Sequence, residues 1–358
     1  MKWSWKLGEV AGIGIFVHWT FLILIGWIAM ADFVNRRPLG EAIEGIAFVL
    51  ALFGCVVLHE LGHALTAKRF GVRTQDITLL PIGGLARLER IPENPVQEFW
   101  IAVAGPAVNV AIAAALAAFL LAVRGTLGSW QLAPLEGDFL PQLMKVNVWL
   151  VLFNMIPAFP MDGGRVLRAV LAHFSGDYVR ATQNAAAVGQ ALAIMFGFFG
   201  LFGNPLLMLI ALFVYLGAQE EANMVMIRSA LKGIPVRTAM MTRVRALSPD
   251  DTLETAIQEL LAGSQQDFPV VEDGRVAGIL MRADVMQALA EEGREQRVGD
   301  VMQPGCATVE DTEMLAGTFQ RMRESACSTL PVVHDGQFVG MVTLENVGEL
   351  MMINSALR

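Results

Sequence analysis

Cysteine is scarce in this chain of 358 residues: only Cys55, Cys306 and Cys327 occur, and no two of them stand in CxxC spacing. Neither a disulfide framework nor a thiolate metal site is indicated, and ordinary thiols are the reading that remains. Charge is scarce too. Asp, Glu, Lys and Arg make up 17% of the residues against 54% hydrophobic ones, more apolar than a typical soluble protein. The little charge present is unevenly placed. From Ser229 onward 19 Asp and Glu face 11 Lys and Arg, while the residues before it hold 15 of each, so the whole formal excess of −8 lies in the C-terminal part. No basic stripe suits a nucleic acid. A neutral apolar body followed by an acidic tail of ordinary polarity reads as a membrane domain with a soluble domain behind it.

Histidine is rare as well, five in all, yet two of them stand four residues apart in Val56-Val57-Leu58-His59-Glu60-Leu61-Gly62-His63-Ala64-Leu65. On a helix, positions i and i+4 share a face, so both imidazoles reach one metal ion. Glu60 stands beside that ion, where a carboxylate can take a proton from an acidified water and pass it to a leaving amine. A five-residue match arises by chance in surface helices, but this one follows the apolar run Ile46 to Cys55. Ionisable groups at membrane depth are expensive and mark function.

Apolar segments divide the first 228 residues into six expected spans: Val10 to Ala31, Ala42 to Phe70, Phe99 to Val123, Leu143 to Phe174, Thr182 to Gly200 and Asn204 to Met226. His18, inside the first span, stays outside the proposed ligand set. Ile77 to Leu88 is apolar, too short to span and partly alternating, with Gly83-Gly84 in its middle. It reads as a re-entrant β-hairpin within Gly71 to Arg90, bordering a cavity and offering an edge for strand addition by an extended peptide, or else as a loop at the headgroups. Asn109 in the third span reads as interhelical glue. A loop holding Pro134, Gly137 and Pro141 precedes the fourth span, which is broken at Asn154-Met155-Ile156-Pro157-Ala158-Phe159-Pro160-Met161-Asp162-Gly163-Gly164-Arg165, because two prolines and two glycines cannot continue a helix. Asp162 at that break is the natural third ligand beside His59 and His63, leaving a fourth position for water; a helix cap is its other reading. Asn154 could donate to an oxyanion or simply pack between helices. Lys and Arg cluster after the second span, after the break and after the sixth span, which by the positive-inside rule makes both termini cytoplasmic and turns the HExxH end of the second span to the cytoplasm.

The tail repeats itself at a constant offset of 62: Val236 and Val298, Met240 and Met302, Pro269-Val270-Val271 and Pro331-Val332-Val333, Asp273-Gly274 and Asp335-Gly336, Gly278 and Gly340. Such a match signals two copies, 236–297 and 298–358 behind a linker at 229–235, of one strand, helix, hairpin, helix unit that packs as a pair. Each copy resembles a CBS motif, and together they resemble a tandem CBS (Bateman) module, a fold of adenosyl-nucleotide sensors that commonly dimerise. The family's nucleotide signature is split here. Gly278 to Asp284 keeps Asp284 but has Met281 at the hydroxyl position, and Gly340 to Asn346 keeps Thr343 but has Asn346 at the acid position.

With HExxH in a span, the Asn154 to Gly164 break and the appended CBS pair in this order, the chain resembles the site-2 proteases, intramembrane zinc metalloproteases, and among them the subgroup with C-terminal CBS domains. The expected fold class is an α-helical polytopic membrane protein, with six transmembrane helices, a re-entrant β-hairpin and a broken helix, plus a C-terminal α/β CBS module. The resemblance implies one Zn2+ held by His59, His63 and Asp162, Glu60 as general acid and base, Asn154 near the oxyanion, and substrate engaged at Gly83-Gly84. It further implies a transmembrane anchor as substrate, for example of an anti-sigma factor, a homodimer through the CBS pair, and ATP, ADP or AMP at Asp284 and Thr343. The rival from another class is a CBS-regulated ion transporter or channel using the His/Asp cluster as its ion site.

Overall fold

The computed structural model describes residues 3–81, 83–88, 94–127, 138–263, 265–291, 293–324 and 328–356. Arg90, Pro134, Gly137 and Cys327 lie outside them. The chain divides into two compact units, Met1–Val225 and Met226–Arg358.

The first unit opens with strands where the sequence suggests a span. β1 (Ser4–Val10) and β2 (Ile13–His18) form an antiparallel hairpin, and helix α1 (Thr20–Val34) starts only afterwards. Two local features explain the difference. Ala11 and Gly12 adopt φ of 54° and 84°, which turns the chain back, and Ile13, Ile15 and Val17 alternate so that Ile13 and Val17 are buried. An alternating run this apolar resembles a helix in hydropathy alone. The 15 residues left to α1 cover about 22 Å, short of a hydrocarbon core of about 30 Å.

Helix α2 (Leu39–Arg69) begins after Pro38 with Glu41 in its first turn and Lys68 and Arg69 in its last, charges that suit the helix dipole at each end. The expected hairpin follows: β3 (Thr74–Leu80) pairs antiparallel with β4 (Gly83–Leu88), while β3 pairs parallel with β2, Ile15 opposite Ile77 and Val17 opposite Leu79. The sheet order is β1-β2-β3-β4, so β4 is an edge strand. Ile13, Leu61, Ala64 and Ile77 form a buried cluster that seats the sheet on α2. Asp76 and Arg87 pair across the two hairpin strands, fixing their register.

Helix α3 (Pro95–Arg124) is capped by Asn94, whose side chain accepts from the Val96 and Gln97 amides, and stops at Gly125, φ 66°. α4 (Phe139–Asn154) takes Pro141 into its first turn, where a missing N–H is harmless, so Pro141 belongs to a helix and not to the preceding loop. The break falls where expected: α4 ends at Asn154 and α5 (Asp162–Ser175) starts at Asp162. A β-carbon on Gly163 would lie 2.3 Å from the Ile156 carbonyl oxygen, so the glycine lets the connecting turn fold onto the start of α5. α6 (Tyr178–Leu201) and α7 (Pro205–Ala230) complete this part of the chain. Among the described residues four helices, α2, α3, α6 and α7, are long and apolar enough to cross a membrane; α1 is a shorter apolar helix and the expected fourth span is the broken pair α4 and α5.

In the second unit a 3-10 turn at Val236–Thr238 precedes α8 (Leu253–Ala262), the hairpin β5 (Phe268–Glu272) and β6 (Arg275–Leu280), and α9 (Arg282–Glu291). The second copy runs α10 (Val298–Val301), β7 (Gln303–Pro304), β8 (Val309–Glu310), α11 (Leu315–Glu324), β9 (Thr329–His334), β10 (Gln337–Thr343) and α12 (Leu344–Ala356). The offset of 62 holds in the pairings: Met241 bridges Met341 as Gln303 pairs with Ile279, and Leu247 bridges Val270 as Val309 pairs with Val332. The copies are also exchanged at their starts. Val236 and Ala239 are buried in the core made by Leu315, Leu330, Val332 and Val342, and Val298 is buried with Leu253, Phe268, Val270 and Leu280.

Candidate active site

His59 and His63 project from one face of α2, as their spacing dictates, and Asp162 reaches them from the first residue of α5. All three are buried. The two Nε2 atoms are 3.0 Å apart, and each lies 3.2 Å from Asp162 Oδ2. Among the described residues this is the one group of three such side chains close enough to share an ion.

The outer nitrogens decide what the inner ones are. His63 Nδ1 donates to the Ile101 carbonyl at 2.7 Å and His59 Nδ1 donates to Asn109 Oδ1 at 2.5 Å. With the protons on Nδ1, both Nε2 atoms present lone pairs, so two lone pairs and a carboxylate oxygen converge. Three acceptors at that separation repel one another unless a cation sits among them, and ligand atoms about 2.0 to 2.1 Å from a tetrahedral zinc lie about 3.3 Å apart. Space is kept for it. A β-carbon on Gly105 of α3 would come within 2.2 Å of His63 Nε2 and 2.7 Å of His59 Nε2. The residues present therefore fit a zinc ion. A neighbouring approach is also tight: a β-carbon on Gly62 would lie 2.8 Å from the Ala104 carbonyl oxygen, which brings α3 against the motif.

Glu60, half-buried, is covered by the hairpin. A β-carbon at Gly84 of β4 would meet Glu60 Cγ at 2.7 Å and Val56 Cγ1 at 3.2 Å, so β4 runs directly over the glutamate. Its outer edge has no strand partner among the described residues. Gly83 opens β4 with φ 139°. Asn154 closes α4, half-buried, with its Nδ2 donating to the Leu150 carbonyl at 3.0 Å. His18 ends β2 and bonds Thr20 Oγ1 at 2.8 Å; it is not among the clustered ligands.

Several residues here escape sequence reasoning. Asn109 ties helices together as its reading as interhelical glue expects, but its partner on α2 is a ligand histidine, and its partner on α4, Asn147, is absent from the sequence expectations. Arg168, one of the cations that follow the break and enter the positive-inside count, is fully buried in α5: its Nε and Nη2 donate to Glu98 Oε1 of α3, its Nη1 donates to Glu221 Oε1 of α7 at 2.5 Å, and its guanidinium lies over the Phe159 and Tyr178 rings. Burial removes it from the positive-inside count and makes it a tie between three helices. The signal was available in Glu98 and Glu221, carboxylates in apolar helices that need a partner.

In the tail, Asp284 accepts from Gln303 Nε2 at 3.0 Å and Thr343 Oγ1 donates to Asn346 Oδ1 at 2.7 Å while accepting from the Asn346 amide at 3.1 Å. Both half-signature residues are thus bonded within the tail itself.

Helices of membrane length, a hairpin laid over HExxH and a carboxylate completing two histidines define a membrane metalloprotease. The chain belongs to the site-2 protease family of zinc metalloproteases: peptidase family M50 matches residues 47–139 and 136–198, and the CBS domain matches 236–291 and 298–351. Among its relatives, the zinc metalloprotease MJ0392 of Methanocaldococcus jannaschii is 32% identical over 354 residues, covering 99% of this chain and 97% of that one. The Mycobacterium tuberculosis protein Rip3 is 29% identical over 372 residues, covering 98% and 93%. Of solved structures, the site-2 protease from Methanocaldococcus jannaschii shares 38% identity over 62% of this chain and 95% of its own, with a TM-score of 0.45.

Proposed function

We propose that the protein hydrolyses a peptide bond in or near the transmembrane segment of a membrane-anchored substrate, a regulatory protein such as an anti-sigma factor being the expected class. The observation that carries this reading is β4 lying against Glu60 with its outer edge unpaired among the described residues. A helical peptide bond has its carbonyl tied into the backbone ladder, so a transmembrane substrate must unwind before water attacks. An extended segment added to β4 beside Gly83 and Gly84 is held unwound at that point, next to the carboxylate.

His59, His63 and Asp162 would hold a zinc ion, which would supply Lewis acidity and a water acidic enough to attack at neutral pH. Glu60 takes the proton of the attacking water and returns it to the departing amine. Asn154 has one amide hydrogen engaged with Leu150, and the other serves the oxyanion of the tetrahedral intermediate. The HExxH end of α2 and both termini face the cytoplasm, which is where water enters. The CBS pair joins two copies into a homodimer and binds an adenine nucleotide through Asp284 and Thr343 to regulate cleavage.

The deciding experiment compares wild type with Glu60→Gln on a co-expressed membrane substrate while bound zinc is measured. Loss of the general acid and base lowers cleavage by about 10²- to 10⁴-fold with zinc retained. Unchanged cleavage in the variant sinks the protease reading, and zinc absent from purified wild type sinks the metal assignment. Titration calorimetry of the full chain with ATP, ADP and AMP tests the regulatory part, which fails if no heat is released.

A further inference from the structure

Asn109 and Asn147 are both fully buried, in α3 and α4, and the hydrolysis itself calls for neither. Buried amides at such depth need a partner for each polar atom, and here the bonds run in one direction. The fixed end is the carbonyl of Leu143, which can only accept. Asn147 therefore turns its NH2 group toward it, Nδ2 to Leu143 O at 2.8 Å, and the same group donates to Cys55 Sγ at 3.4 Å. With its NH2 so used, Asn147 presents Oδ1 to Asn109, accepting from Nδ2 at 2.8 Å. That in turn leaves Asn109 Oδ1 facing His59 Nδ1, which must carry the proton, and frees His59 Nε2 to offer its lone pair beside Asp162 and His63.

The two histidines differ in this respect. His63 bonds a backbone carbonyl, Ile101 O, an acceptor that cannot be anything else. His59 bonds a side-chain amide, whose two ends are nearly alike in shape and exchange on a half-turn. An Asn109 turned the wrong way would aim a donor at Nδ1 and drive the proton onto Nε2, the atom the ion needs. We propose that Asn147 is a positioning residue for the metal: by holding the Asn109 amide in one orientation it fixes the tautomer and ring direction of His59. The proposal rests on reading the His59, His63 and Asp162 cluster as a zinc site.

The test uses the full-length protein in detergent, with zinc affinity measured by chelator competition and the visible absorption of the cobalt(II)-substituted form as a spectroscopic check on ligand geometry. Asn147→Leu weakens zinc by about tenfold, the low end of what loss of an outer partner does, and perturbs the cobalt spectrum. Asn147→Thr, whose hydroxyl can donate to Leu143 O and accept from Asn109, restores both toward wild type. The decisive comparison places Asn147→Leu in an Asn109→Asp background. A carboxylate accepts at either oxygen and needs no orienting, so there the second substitution leaves zinc affinity unchanged. If Asn147→Leu does not accumulate folded, Asn147→Ala takes its place in both backgrounds. Equal weakening in the two backgrounds assigns Asn147 to packing and overturns the proposal, as does no weakening in the wild-type background. A wild type without zinc overturns the reading beneath it instead.

Discussion

The candidate site residues of the two units are held by different kinds of bond. In the membrane unit, bonds reach across the chain: His59 to Asn109 fifty residues on, Arg168 to Glu221 more than fifty residues on and to Glu98 seventy residues back. In the tail, the two candidate ligands bond locally or to the swapped segment, Thr343 to Asn346 three residues on and Asp284 to Gln303. Long-range bonds among buried groups hold a reactive cluster against its own repulsion, whereas local ones finish helix ends. A complete motif in one unit and a split signature in the other follow that division.

The strongest challenge to this contrast is Gly105→Ala. A β-carbon 2.2 Å from His63 Nε2 fills the space the ion needs, so bound zinc and cleavage are both expected to fall below detection while the helical circular dichroism is kept; normal zinc content would show that α3 yields. Next comes Arg168→Met, which strands Glu98 and Glu221 without their cation. Removing one partner of a buried pair costs about 3 to 5 kcal/mol, to be read as a large drop in the thermal midpoint of the membrane unit. In the tail, Thr343→Ala removes a side chain that caps the start of α12, with an expected cost of about 1 kcal/mol and no change in bound zinc; a larger loss accompanied by loss of nucleotide heat would give the tail a functional polar site after all. The smallest effect is at His334, exposed and bonded to Asp311 at 3.0 Å, whose hydrogen bond and then whose charge raise the imidazole above the ordinary histidine value. A raised value in the folded state stabilises the tail below the ordinary histidine range, a contribution lost as pH rises through the raised value. His334→Gln should flatten that slight dependence of the tail's melting on pH, and an unchanged slope would place its origin elsewhere.

Much of the site was legible because charges in apolar runs are conspicuous. His59, Glu60, His63 and Asp162 stand out against their neighbours, and the two prolines and two glycines after Asn154 announce the broken helix. The repeat was legible because its offset of 62 persists without a gap. Other features depend on who meets whom. Asn109 gains its importance from one contact with α2, Gly105 from what presses on it, and Arg168 from carboxylates on two other helices; no local pattern encodes these. The hairpin β1 and β2 was hidden for another reason. Val10 to His18 is as apolar as a span, and hydropathy averages away the alternation of Ile13, Ile15 and Val17 that marks a strand. The exchange of starts in the tail is invisible for a reason of symmetry: a constant offset is the same whether each half uses its own first segment or its twin's.

That exchange bears on how the tail is made. Val236 has no core to enter until Leu315, Val332 and Val342 exist, so a ribosome adding about 5 to 20 residues per second leaves the first turn waiting for several seconds, solvated and exposed to misplacement. The core around Leu253 and Phe268 can close once Val298 has been made, whereas the core that takes Val236 closes only when Val342 and Val347 arrive.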